Sequence, residues 1–311
     1  MPRDLVDGPE RRDRQVSECG EDLIALVSLG SLRIPLDLQK SCRVGCDGVR
    51  MSWISRLAGI ALVCSSTQAI ADVVGGHQVV CLHAPYDRAT TDHEARIQAL
   101  ADWLRTALAR HPDLLFSLEE SAPRICLAEK IFGAEGYFDV DGNAIVLREG
   151  LSLDMMRAVV LHEVRHLHQV HSGTCPAPDN SMKAVARMTL ALEADASAIS
   201  LVVGWSLREA GAPGVWDALA AWPTHADLAA VYERTMTETG DPMHAAAQAF
   251  AQWYVSDWRR QSYYLAACSD YLDRQDDTHS LPQHGALASD FLTTICKLPD
   301  GRPYPCEEPK F

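Results

Sequence analysis

A mainly helical α+β fold is what the sequence predicts, with a small β-hairpin or sheet ahead of a long helix bearing two histidines. Three observations predict it. Apolar residues recur at helical spacing through most of the chain after residue 150. Runs rich in β-branched and aromatic residues fall before that point. Turn signals separate the two kinds of segment.

Taken in order, "TTDHEARIQALADWLRTALAR" (90–110) places Ile97, Leu100, Leu104 and Leu108 on one face, with Thr91 or Asp92 as N-cap. "PRICLAEKI" reads as a short strand after Pro123. "YFDVDGNAIVLRE" reads as a hairpin whose turn is Asp141-Gly142-Asn143, residues that tolerate positive φ. A helix follows over 153–170, with Ser152 as N-cap, and "SGTCPAPDNS" ends it. A second long helix is expected over 182–209, stopping before Gly211. Further helices are expected over 225–239 and, started by Asp241 and Pro242, over 243–274. The tail from Leu281 reads as loop. There is no internal repeat and no evident linker between domains.

The chain has 311 residues, 47% of them apolar, enough for a substantial core. Its formal charge of −14 would repel a phosphate backbone, which argues against nucleic acid as a partner. No uninterrupted apolar run reaches the roughly 20 residues of a membrane span. The N-terminal part stands apart. "MSWISRLAGIALVCSSTQAIADVV" has the form of a secretory signal peptide, with Met51 as start and Arg56 in the basic region. Its apolar stretch runs from Leu57 to Cys64, and Ala69-Ile70-Ala71 forms the cleavage site. The expected organisation is therefore a non-native, disordered upstream extension at 1–50, a signal peptide at 51–71, and one catalytic domain at 72–311. The product would be periplasmic or secreted. Residues 1–71 carry as many acidic as basic side chains, so the negative balance belongs to the exported part. That part holds Cys81, Cys126, Cys175, Cys268, Cys296 and Cys306, an even set that suits disulfides outside the cytoplasm. Proximity favours Cys296 with Cys306. With no C-x-x-C pair, a cysteine zinc site is not expected.

The long helix contains "AVVLHEVRHLHQVH" (158–171). His162-Glu163-Val164-Arg165-His166 fits H-E-x-x-H. Residues four apart on a helix share a face, so both imidazoles can reach one ion. Glu163, beside the first of them, can act on a water at that ion. A third ligand must leave one position open. His168 and His171 lie off the His162/His166 face. Glu193 and Asp195, in the apolar stretch "LALEADASAISL", are the only acids between Asp179 and Glu209, and a buried carboxylate is costly unless paired or metal-bound. Two residues apart, they cannot ligate equally well. Glu193 is the expected ligand. Asp195 is the alternative ligand, or else a partner that orients a histidine or holds Arg165 or Arg187.

"HEVRH" followed by "EADA" (193–196) resembles the zincin metallopeptidases of gluzincin type, closest to little-characterised bacterial metallopeptidase families with H-E-x-x-H and a downstream E-A-D-A. The resemblance covers roughly residues 136–210. It implies a zincin-like fold, Zn2+ as cofactor, His162, His166 and Glu193 as ligands, Glu163 as catalytic base, and a peptide or protein substrate. It also implies a strand before the active helix whose edge binds extended substrate, with residues 143–149 in that place and pairing expected along 144–147. The acid pair is spaced E-x-D, where several gluzincin families have E-x-x-x-D.

A peptidase also needs a donor for the developing oxyanion. Tyr137, His225, His244, Tyr254, Arg259, Tyr263 and Tyr264 are all open candidates at this stage. Two other readings compete with an exported zinc metallopeptidase. One is a non-catalytic helical binding or scaffold protein stapled by zinc or disulfides. The other is a zinc hydrolase of non-peptide amides.

Overall fold

The computed structural model describes residues 72–309. The expected upstream extension, the signal peptide and its cleavage site at Ala71 lie outside the described residues.

Two short strands open the described chain: β1 (Asp72–Val74) and β2 (His77–Leu82). The first helix, α1 (Asp92–Ala107), starts at Thr91, whose hydroxyl accepts from Glu94 N–H while the Glu94 carboxylate accepts from Thr91 N–H. A 3₁₀ turn at Leu108–Arg110 leads to α2 (Pro112–Ser121), a helix not expected from periodicity although Pro112 sits at its first turn. Then come β3 (Arg124–Ala128), β4 (Gly136–Asp139) and β5 (Ala144–Arg148). The predicted hairpin forms between β4 and β5, with Asn143 at φ 44°.

The sheet order is β1-β2-β3-β5-β4. Only β3 and β5 pair in parallel; the other neighbours are antiparallel. This order corrects one expectation. β5 is not an edge strand, because it bonds to β3 on one side and β4 on the other. Its unbroken apolar run, buried on both faces, suits an interior position. The edge beside the helices is β4.

One sheet face packs Val74, Val79, Cys126 and Val146 into a small cluster; the other, through Ile125, Leu127, Ile145 and Leu147, joins the main core. Against that second face lies α3 (Leu153–His171), capped by Ser152, and against α3 lies α4 (Met182–Glu209), capped by Ser181. α4 is long and apolar enough to pass a membrane-span test on composition, although no uninterrupted apolar run had marked it. Yet 83% of that window is buried in the core, so it is a core helix. α5 (Gly214–Ala221) and α6 (Ala226–Thr239) follow. The single helix expected over 243–274 is two, α7 (Pro242–Trp253) and α8 (Asp257–Asp277), with Ser256 capping the second. The break has a physical cause. Arg259 folds back and donates to the carbonyls of Gln252 and Trp253, satisfying acceptors that a continuing helix would have used. A short α9 (Phe291–Ile295) interrupts the otherwise irregular tail.

Two disulfides staple the ends. Cys81–Cys126 joins directly opposed residues of β2 and β3, and Cys296–Cys306 closes a C-terminal loop, the pairing expected from proximity. Cys175 and Cys268 are also disulfide-bonded.

Candidate active site

Helix α3 is buried on nearly every side, so its polar residues must find partners or a ligand. His162 and His166 face α4, one turn apart. Their Nε2 atoms are 3.0 Å from each other. Glu193 of α4 closes the group, with its two oxygens 3.4 Å from His162 Nε2 and 3.5 Å from His166 Nε2. Their donor atoms form the one group among the described residues that could hold a metal ion. A tetrahedral ion with bonds of about 2.0–2.1 Å would space its ligand atoms about 3.3 Å apart, so the three side chains fit one. Two imidazoles and a carboxylate are also a donor set that zinc accepts.

Charge is distributed to match. Burial would raise the Glu193 carboxyl, but the two imidazoles outweigh it and hold the group down at about 2. Burial would lower His166, but Glu193 outweighs it and lifts the imidazole to about 9. Glu163 is different. Burial dominates and raises it, against the pull of His162 and His166. Its carboxylate accepts from the backbone N–H of Phe138 in β4. The ladder explains why that N–H is available. Arg148 N donates to Glu135 O, so Tyr137 and Asp139 bond to β5, while Gly136 and Phe138 turn their backbone groups to the open edge.

Asp195 lies on the far flank of the histidine pair. Its carboxylate takes Arg165 in a fork, at 2.7 Å from Nε and 3.1 Å from Nη2, and accepts from Gln169 at 2.8 Å and Tyr304 at 2.7 Å. Of the two acids, the structure brings Glu193 to the histidines and Asp195 to Arg165. Arg187 pairs with Glu308 instead. His168 bonds Ser117 and His171 bonds Ser121, both toward α2 and away from the group.

A cavity of about 420 Å³ opens in front of the histidines. The β4 edge and Ile131 form one wall; Trp222, His225, Trp253, Trp258 and Tyr263 form the other. Tyr263 shares a side-chain hydrogen bond with Glu193 and lies near Glu163. Burial, then the two carboxylates, raise its hydroxyl well above the ordinary tyrosine range, so it stays a donor. His225 stacks on Trp222 at 4.0 Å, and burial followed by His162 pushes it down to about 3. Of the other candidates for stabilising an oxyanion, Arg259 lines the cavity but spends its guanidinium on Asp227 and backbone carbonyls. Tyr137 also lines the cavity, but its hydroxyl donates to Val74 O. Tyr254, Tyr264 and His244 are not among the lining residues.

Sequence reasoning did not single out Gln169 or Tyr304 as partners of the site, nor Trp222. Gln169 carried a usable signal, as a polar residue three positions after a histidine on a helix with an apolar face. Tyr304 carried none, since it reaches Asp195 from more than a hundred residues away.

The fold and donor group together define a candidate H-E-x-x-H metal site on a buried helix beside a mixed sheet. The chain belongs to the family described as "Putative metallopeptidase family (DUF6782)", whose model matches residues 71–306. No curated protein and no solved structure gives a match.

Proposed function

We propose that this chain is an exported zinc-dependent metallopeptidase, with His162, His166 and Glu193 as ligands and Glu163 as general base. The observation that carries the reading is the convergence of the three donors beside a raised carboxylic acid at the wall of an open cavity. Membership of a metallopeptidase family supports it. Export is supported by the signal-peptide pattern ending at Ala71, by a family match that begins there, and by the disulfides.

Zinc bound there would supply Lewis acidity, polarising the substrate carbonyl and acidifying a water. The protein's own groups do the rest. Glu163, whose carboxyl burial raises above the ordinary carboxylate range, takes the proton of the attacking water and passes it to the leaving amine. Tyr263 donates to the carbonyl oxygen as negative charge develops on it. An extended peptide pairs with the open backbone groups of β4 rather than with 144–147, and the aromatic wall receives its side chains. Residues 72–311 act as the one catalytic domain.

The test is Glu163→Gln. Zinc content and unfolding temperature should stay at the wild-type level, while peptide hydrolysis drops by roughly 10²–10⁴-fold. Hydrolysis at the wild-type rate would remove Glu163 from this role.

A further inference from the structure

Resting on that reading, we propose that Gln169 is a positioning residue, held by Asp195 and Tyr304, that decides which nitrogen of His166 faces the metal. The C-terminal loop closed by Cys296–Cys306 is thereby part of the metal site.

The inference follows from counting donors and acceptors. An amide side chain has an acceptor end and a donor end, and its neighbours decide which way it lies. Gln169 Nε2 is 3.0 Å from Leu192 O and 2.8 Å from Asp195 Oδ2. A carbonyl and a carboxylate only accept. Turning the amide over would set its oxygen against both. Gln169 Oε1 must therefore face His166 Nδ1, 2.8 Å away, and accept from it. With zinc bound, His166 would then carry its one proton on Nδ1 and present the Nε2 lone pair to the ion between it, His162 and Glu193.

Asp195 keeps its part because donors surround it. Arg165 gives it Nε and Nη2, and Tyr304 gives it a hydroxyl proton. Both contacts depend on the C-terminal loop. Arg165 Nη2 also donates to the carbonyls of Ile295 and Lys297, each at 2.9 Å, where the loop begins. Tyr304 lies inside the loop, two residues before the closing Cys306. The chain of contacts runs Tyr304, Asp195, Gln169, His166, and each link is buried. His162 supplies an internal contrast. Its buried Nδ1 has no hydrogen-bond partner among the described residues, so no hydrogen bond fixes which nitrogen of that ring carries the proton.

The test uses the zinc-loaded protein with ¹⁵N-labelled histidine, read by imidazole NMR, together with zinc affinity from chelator competition. The wild type should show His166 bound through Nε2, with an Nδ1 proton protected from solvent exchange. Gln169→Met should lose that protection and weaken zinc binding by about 10- to 100-fold. Tyr304→Phe, which removes one oxygen, should shift the same resonance with a smaller loss of affinity. Ser200→Ala, a buried hydroxyl of α4 that bonds only within its helix, should change neither. A folded Gln169→Met protein with wild-type affinity, or His166 bound through Nδ1, overturns the proposal. If Gln169→Met does not fold, Tyr304→Phe decides, and an unmoved His166 resonance overturns it. A wild type that takes up no zinc removes the function reading itself, and this proposal with it.

Discussion

The two flanks of the histidine pair on α3 are built differently. On one flank Arg165 and Gln169 point into a dry contact with Asp195, Tyr304 and the C-terminal loop. Arg165 is 1% exposed and Asp195 0%. On the other flank Glu163 and His162 face a cavity walled by indole and phenol rings and an open strand edge. The first flank joins α3, α4 and the chain terminus by hydrogen bonds with little freedom to rearrange. The second holds groups that can exchange partners: a carboxyl group raised by burial, a tyrosine hydroxyl kept protonated, and an imidazole nitrogen with no hydrogen-bond partner among the described residues. The difference teaches that burial serves two ends on one helix. Where charges pair, it fixes geometry. Where a carboxyl group is left underpaired, it tunes acidity.

The comparison can be broken first on its rigid flank. Asp195→Ala leaves Arg165 buried without its counter-charge and should cost about 3–5 kcal/mol in stability, read from denaturant unfolding. A cost well below that range would mean the flank is not the structural anchor described here. On the open flank, Tyr263→Phe should lower kcat by roughly 10²-fold, with zinc content and stability unchanged. A rise in KM with kcat intact would instead assign Tyr263 to substrate binding.

How much of this was legible beforehand follows the range of each interaction. The α3 and α4 boundaries, the Ser152 cap of α3 and the β4–β5 hairpin were readable because caps, turns and apolar periodicity act over a few residues. The H-E-x-x-H spacing and the isolated Glu193 and Asp195 were readable for the same reason. β1 and β2 were not, since β2 is held by pairing to β3 and a disulfide, and β1 by pairing to β2, rather than by their own pattern. The α7–α8 break was hidden because Arg259, which stabilises it, looks like any surface arginine in a helical pattern. The position of β5 inside the sheet depends on β3 and β4 together, and no local signal marks it. Nor could the sequence say which tyrosine meets Glu193, because that depends on where α8 lies across the cavity.

A smaller effect comes from two histidines on the α2 side, His168 of α3, bonded to Ser117, and His111, just before α2. Burial pushes His111 and His168 down to about 4. Both stay neutral in the fold while the unfolded chain takes up protons below about pH 6.5. Their contribution to stability is therefore intact above that pH and declines as pH falls from about 6.5 toward 4. His168→Gln should flatten part of this decline in a series of thermal melts against pH, with the alkaline side unchanged. An equally steep acid limb would contradict the assignment.

The most direct test of the account is X-ray absorption at the zinc edge on the purified wild-type protein, with metal content measured alongside. The account predicts one zinc per chain, bound by two imidazole nitrogens and a carboxylate oxygen at about 2.0–2.2 Å, with a further light atom completing the shell. No stoichiometric zinc, or a shell containing sulfur at about 2.3 Å, would contradict it.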